Sequence, residues 1–210
     1  MNSSQSDIEK QIRKAVTILK NGGVVAYPTD TVYGLGACMT YTAAVDRIFQ
    51  VKGRPKGMAL PVLLAEKTQI KEIVTSISAE AQRLADEFFP GALTIILPKS
   101  AYVPDVITGG GRTVAFRIPN HPVPLALVRG LGKPIVGTSA NLSGQPSALT
   151  AAEVQAQIGD KIDVVIDGGR CPGGIESTVI DLSGGKPVIR RLGAISLEKI
   201  RKILPDVITL

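Results

Sequence analysis

The stretch Gly22-Gly23-Val24-Val25-Ala26-Tyr27-Pro28-Thr29-Asp30-Thr31-Val32-Tyr33-Gly34-Leu35-Gly36 decides the architecture. Residues 23–27 are a short apolar run stopped by Pro28, the pattern of a buried strand that hands its C-terminal end to a loop. That loop, 28–36, is rich in hydroxyls and glycine, so it carries hydrogen-bond donors and lets main chain approach a ligand. Upstream, Ser6 and Glu9 form a capping box. Ile8, Ile12, Ala15, Val16 and Leu19 then recur at helical spacing, which predicts a helix over 7–20 that Gly22-Gly23 ends.

Downstream, Thr42 caps a predicted helix whose stripe is Ala44, Val45, Ile48 and Phe49. Strands are predicted over 60–65, 93–97, 114–118, 135–137, 163–166, 178–182 and 188–192, with strong β-formers in 93–97 and 114–118. Helices are predicted over 78–88 and 122–129, the second opened by Pro122, and after the caps Thr150 and Ser196. Ser183-Gly184-Gly185-Lys186 is a hairpin turn. Helices alternate with strands, but the hairpin and several long loops break a strict βαβ repeat. The expectation is therefore an α/β fold with a twisted, mixed sheet and helices packed against it, rather than a doubly wound Rossmann sheet.

The chain has 210 residues, 44% of them apolar, and no linker-like composition break, so one domain over 1–210 is expected. A formal charge of +6 favours anionic partners but does not separate a nucleotide from RNA. Residues 1–11 lack a basic segment and an apolar one, and no apolar run approaches the ~20 residues of a membrane helix, so the expectation is a cytoplasmic protein without a membrane partner. Cys38 and Cys171 are not in a CxxC arrangement and read as small buried residues.

Beyond the 42–51 stripe stand three cations in five residues, Lys52, Arg54 and Lys56, separated by Gly53 and Pro55. Gly-Arg-Pro does not continue a helix, which predicts a tight exposed basic loop able to hold anions. Alone, such a loop is more simply a solvated turn. His121 is the only histidine and sits before Pro122, where a helix cap is the plainer role; a Ser-His-Asp triad or a His-based metal site would rest on it alone. Gly132-Lys133 lacks the earlier glycine of a phosphate-binding Walker loop, and Gly34-x-Gly36 lacks the third glycine of a dinucleotide fingerprint. What remains are hydroxyls, amides and cations at predicted strand ends: Thr29, Thr31 and Tyr33; Lys52, Arg54 and Lys56; Thr113 and Arg117; Ser139 and Asn141; Ser177 and Arg191. Singly, each has a structural explanation as a cap, an ion pair or a turn residue. Together they suit transfer at phosphorus, which needs positioning and charge stabilisation, with magnesium, more than an acid/base pair.

The run 22–36, then Lys52-Gly53-Arg54-Pro55, Phe89-Pro90-Gly91, Arg117-Ile118-Pro119, Ser139-Ala140-Asn141-Leu142-Ser143-Gly144 and Glu176-Ser177-Thr178-Val179, resembles the YrdC-like threonylcarbamoyl-adenylate synthases over about 8–204. The resemblance implies formation of threonylcarbamoyl-adenylate and pyrophosphate from L-threonine, bicarbonate or carbon dioxide, and ATP. It also implies a concave, positively charged cavity, Mg2+ held by the ATP phosphates, and a downstream transferase that makes threonylcarbamoyladenosine in tRNA. The family's Lys-x-Arg and Ser-x-Asn pairs fall on Lys52/Arg54 and Ser139/Asn141, as catalytic and nucleotide contacts. Thr31, Arg117 and Ser177 look like threonine-side contacts, and Thr113 and Arg191 like nucleotide-side contacts. Lys56 stays outside the catalytic set, as a charge near the cavity mouth. The glycines around 52–57 make that loop a candidate lid.

Many family members carry Asn-Pro-Leu and then a histidine after the basic loop, where this chain has Met58-Ala59-Leu60 and Leu63, so ligand contacts there do not carry over. Ending at Leu210, the chain resembles the short, single-domain family form. The competing expectations are an RNA-binding module, or a paralogue adenylating a different carbamate. Four Tyr and four Phe, with no aromatic-rich strand motif for base stacking, allow at most weak RNA binding.

Overall fold

The computed structural model describes residues 3–209. In chain order the elements are α1 (Ser3–Lys20), β1 (Val24–Tyr27), β2 (Gly34–Ala37), α2 (Thr42–Lys52), β3 (Val62–Leu63), α3 (Ile70–Ile73), α4 (Ala79–Phe88), β4 (Leu93–Pro98), α5 (Asp105–Thr108) and β5 (Thr113–Arg117). They continue as α6 (Pro122–Leu131), β6 (Ile135–Val136), β7 (Thr138–Ser139), α7 (Ala151–Ile158), β8 (Val164–Val165), β9 (Thr178–Asp181), β10 (Val188–Arg191), α8 (Leu197–Arg201) and β11 (Ile208–Thr209).

Local chemistry explains most boundaries. Ser78, Thr150 and Ser196 each accept from a main-chain N–H of the first turn of α4, α7 and α8. His121 Nδ1 accepts from Val123 N ahead of Pro122, so the single histidine is a helix cap. Two cap expectations fail: α1 runs through Ser6, whose surroundings hold no helix breaker, and Tyr41 precedes α2 without a side-chain cap bond.

The α/β expectation holds, with the strands divided between two mixed sheets, ordered β7-β2-β1-β8 and β11-β10-β9-β4-β5-β3-β6. The smaller sheet contains the main surprise. Gly34–Ala37 is a strand antiparallel to β1, with Tyr27 opposite Gly34, where the sequence predicted loop as far as Gly36. The chain crosses from one sheet to the other between β6 and β7, at Gly137, whose N–H bonds Pro61 O at 2.8 Å. A Cβ there would lie 2.5 Å from the Leu63 side chain, which would have to move to admit it.

Period-2 alternation gives the large sheet two unlike faces. Leu93, Ile95, Leu97, Val114, Phe116, Ile180 and Ile189 belong to the main core cluster. On the other face register brings Arg191 opposite Val179, Val179 beside Thr94, and Leu63 beside Arg117. A row of functional side chains thus crosses the sheet where the core residues do not point. A second cluster packs α1 and α6 against β1 through Ala15, Leu19, Val25, Leu127 and Val128.

Candidate active site

A cavity of about 350 Å³ lies over that second face, roofed by β2, β7 and the turn after β1. Thr31, Arg54, Arg117, Ser139, Ser177 and Arg191 line it, so six of the nine expected site residues meet in one space. Lys52, Asn141 and Thr113 do not line it. Thr113 falls on the same face of β5 as Ala115 and Arg117 but beyond the cavity's edge.

The turn 28–33 is fixed before any ligand arrives. Gly174 N bonds Thr31 O at 2.9 Å, and Tyr33 Oη donates to Gly169 O at 2.9 Å. Thr29 Oγ1 donates to Val32 O at 2.7 Å, which commits its one proton. The 3.0 Å contact between Thr29 and Thr31 must therefore run from the Thr31 hydroxyl to Thr29. Arg117 Nη1 in turn donates to Thr31 Oγ1 at 3.0 Å. Thr31 is left with acceptor capacity only, and faces the cavity as an acceptor.

Arg117 is buried, and its guanidinium is aimed by three partners: Nε to Gly91 O at 2.7 Å, Nη1 to Thr31, and Nη2 to Asp30 Oδ1 at 2.6 Å. Three of five N–H groups are used, so one on each terminal nitrogen remains for a planar anion. Burial lowers the guanidinium's pKa from its ordinary value, and the adjacent Asp30 carboxylate opposes that shift.

Across the floor, Ser177 Oγ and Thr94 Oγ1 share a hydrogen bond of 2.8 Å. Arg191 donates through Nε and Nη2 to Ser177 O at 3.2 and 3.0 Å, and its Nη1 pairs with Glu176. The other Glu176 oxygen accepts from Ser147 Oγ at 2.9 Å. Asp30, Thr94 and Glu176 carry no role in the sequence reading. Thr94 had a readable signal, as the lone polar side chain in the apolar run 93–97. Asp30 and Glu176 lay inside quoted motifs, but their arginine partners are distant in sequence.

The basic loop departs furthest from expectation. Lys52 is the last residue of α2 and 3% exposed, not a loop residue, while Gly53 behind it takes the left-handed cap with φ 59°. Its ammonium donates to Ser139 O at 2.5 Å, Asn141 O at 2.7 Å and Asn141 Oδ1 at 3.2 Å, three acceptors for three protons. The Asn141 amide donates onward to Leu142 O and Gln145 O, at 2.9 and 2.6 Å. Burial first, and Arg54 second, push the Lys52 pKa down to about 8. Lys52 and Asn141 therefore form a buried frame, and Ser139 and Arg54 are what that frame presents to the cavity. Lys56 is exposed and pairs with Asp46 at 3.0 Å. Of the departures, Ala59 and Leu63 line the cavity and Met58 is exposed.

Cys38 and Cys171 are both buried, the latter accepting from Thr29 N. Among the described residues no three His, Cys, Asp or Glu side chains cluster as a metal site, and no helix is long and apolar enough to cross a membrane.

The Sua5/YciO/YrdC family model, described as "Telomere recombination", matches residues 17–193. The chain is 45% identical over 199 residues to the threonylcarbamoyl-AMP synthase of Pyrococcus abyssi (strain GE5 / Orsay), covering 95% of this chain and 58% of that protein. It is 42% identical to that of Bacillus subtilis (strain 168), covering 93% and 57%. The chain thus spans a little over half the length of these curated relatives. The crystal structure of P. abyssi Sua5 complexed with L-threonine superposes with a TM-score of 0.94 at 44% identity, over 96% of this chain and 59% of that one. With its sequence matched over residues 17–193 and its fold shared, this chain belongs to the Sua5/YciO/YrdC family.

Proposed function

We propose that this chain makes threonylcarbamoyl-adenylate and pyrophosphate from L-threonine, bicarbonate or carbon dioxide, and ATP. The observation that carries the reading is the division of one cavity between an acid-binding side, the two unused N–H groups of Arg117 beside Thr31, and an anion side, Arg54 and Ser139. The synthase names of the relatives and the threonine complex of P. abyssi Sua5 support it.

Arg117 takes the threonine carboxylate bidentately, and Thr31, acceptor only, takes an N–H of the amine or carbamate. Ser177, held by Thr94 and Arg191, orients the same substrate. The amine adds carbon dioxide and releases a proton, giving a carbamate. Its oxygen bonds to the α-phosphorus as the bond to the β-phosphoryl oxygen breaks and pyrophosphate leaves. Charge grows on the leaving group, which Arg54 stabilises from a partly water-excluded wall. Ser139 and Arg191 hold the nucleotide, with Thr113 further along β5 toward its base or ribose. The loop that follows Lys52, as far as Gly57, is the element that closes over the unstable carbamate.

Mg2+ arrives on the nucleotide phosphates as part of the substrate. Glu176, which lines the cavity, is already paired with Arg191, and Asp30 behind Arg117 is paired with that arginine, which suits a metal carried by phosphates and water. The site of action is the cytoplasm, and the product passes to a transferase acting on tRNA.

The test is pyrophosphate release from ATP, expected only when L-threonine and bicarbonate are both supplied. ATP turnover without threonine dependence would indicate a different carbamate. Salt-sensitive tRNA binding without ATP turnover would indicate an RNA module.

A further inference from the structure

Tyr27 closes β1 and is fully buried, with its ring lying across β2. A Cβ on Gly34 would come within 2.7 Å of that ring, and one on Gly36 within 2.9 Å of both ring and hydroxyl. Two glycines facing the same way on β2 therefore make a slot that admits an aromatic ring. Phenylalanine would fill the slot equally well. The hydroxyl nevertheless has no hydrogen-bond partner among the described residues, and an unpaired buried hydroxyl costs stability rather than supplying it.

Tyr27 is also part of the cavity wall, together with Thr29, Thr31, Leu63 and Arg117. Its neighbouring hydroxyls are committed, Thr29 to Val32 O and Thr31 to Thr29. Burial raises the phenol's pKa further above its ordinary value, and the positive charge of Arg117 reaches it in the opposite sense. At neutral pH the group is a protonated donor in the wall of a cavity that the buried Arg117 also lines. The complement of a donor beside a cation is an anionic acceptor.

Resting on the function proposed above, we infer that Tyr27 Oη donates a hydrogen bond to the carboxylate of the amino-acid substrate clamped by Arg117, which makes Tyr27 a substrate-binding residue. Three donors would then surround one carboxylate: the two free N–H groups of Arg117 and the phenol. The slot formed by Gly34 and Gly36 sets the height of the phenol, tying those glycines to substrate binding through Tyr27.

The test is Tyr27→Phe, read by calorimetric titration with L-threonine and separately with ATP, and by thermal melting without ligand. The expected result is a Kd for L-threonine raised about 10-fold or more, as for a hydrogen bond to a charged group. ATP affinity should be unchanged, and the ligand-free melting temperature unchanged or higher. Equal threonine affinity in wild type and variant would overturn the inference while leaving the proposed function standing. A ligand-free variant melting several degrees lower would show that the hydroxyl makes an internal bond, and would overturn it too. Failure of the wild type itself to bind L-threonine would sink the functional reading and this inference with it.

Discussion

Lys52 Nζ donates to both oxygens that Asn141 offers, the main-chain O at 2.7 Å and Oδ1 at 3.2 Å. The Lys-x-Arg and Ser-x-Asn pairs are therefore not four equivalent ligands around a phosphate. One member of each pair, Lys52 and Asn141, is spent on holding the chain in place. The other members, Arg54 and Ser139, face the cavity. Positive charge from Lys52 still reaches the site through space, but its contact is with the protein.

Lys52→Met tests this division. It leaves Ser139 O, Asn141 O and Asn141 Oδ1 without their shared donor, and the expected loss of stability at pH 7 is about 2–4 kcal/mol. Urea unfolding measures it. Loss of a lysine that only contacted substrate would reduce turnover far more than stability; the buried frame predicts that both fall. The same group should mark the pH profile. With a folded-state pKa of about 8 against an ordinary 10.5, the unfolded chain carries the extra proton between those values, so this group's contribution to stability rises with pH across that window. Activity should move the other way, with kcat/KM falling above about pH 8 as the clamp loses its charge. Opposite trends of stability and activity over one pH range, both absent in Lys52→Met, are the expected signature.

Arg54 is the contrasting case. It has one ordinary bond, Nη2 to Ala59 O at 3.1 Å, and one long contact, Nη1 to Thr138 Oγ1 at 3.5 Å, and its buried Nε has no partner among the described residues. A side chain so lightly anchored contributes little to folding. Arg54→Ala should lower turnover by about 10²–10³, the scale of a lost transition-state donor, and shift the melting temperature by no more than about 2 °C. A melting shift as large as that of Lys52→Met would return Arg54 to a structural role.

Asp30 balances Arg117 at 2.6 Å, with both side chains largely buried. Removing the acid strands a buried cation, a change that costs about 3–5 kcal/mol in comparable sites. Asp30→Ala should therefore unfold at markedly lower urea than Asp30→Asn, which keeps an acceptor for Arg117 Nη2. Because the free guanidinium is better compensated by a bound carboxylate, L-threonine should recover part of the lost stability in Asp30→Ala. Thermal-shift titration of both variants checks the order and the rescue.

The parts of this molecule legible in its sequence are those set by neighbours a few residues away. Thr150, Ser196 and Pro122 mark helix starts because capping is local, and the β9–β10 hairpin follows from its turn. The members of the site were legible as strand-end polar residues, and six of them do meet. What was not legible depends on distant partners. Lys52 reads as the first residue of an exposed loop, and its burial at the end of α2 is decided by oxygens of Ser139 and Asn141, far along the chain. Gly34 and Gly36 read as loop because glycine disfavours strands, and they form one because the ring of Tyr27 occupies the space their side chains would need.

The packing of Tyr27 against β2 has its own test. A Cβ on Gly36 would stand 2.5 Å from Val136 O, a main-chain atom that cannot step aside, as well as against Tyr27. Gly36→Ala should therefore lose about 2–3 kcal/mol by overpacking, although alanine is ordinarily no worse than glycine in a strand. Gly184 lies in the turn between β9 and β10, where an added Cβ would meet nothing within 4 Å, so Gly184→Ala should stay within about 0.5 kcal/mol of the parent protein. Chemical denaturation of the two variants separates the accounts. If glycine at 36 serves only backbone freedom in a loop, both substitutions will be mild; if it keeps Tyr27 and the two sheets together, the cost will fall on Gly36 alone.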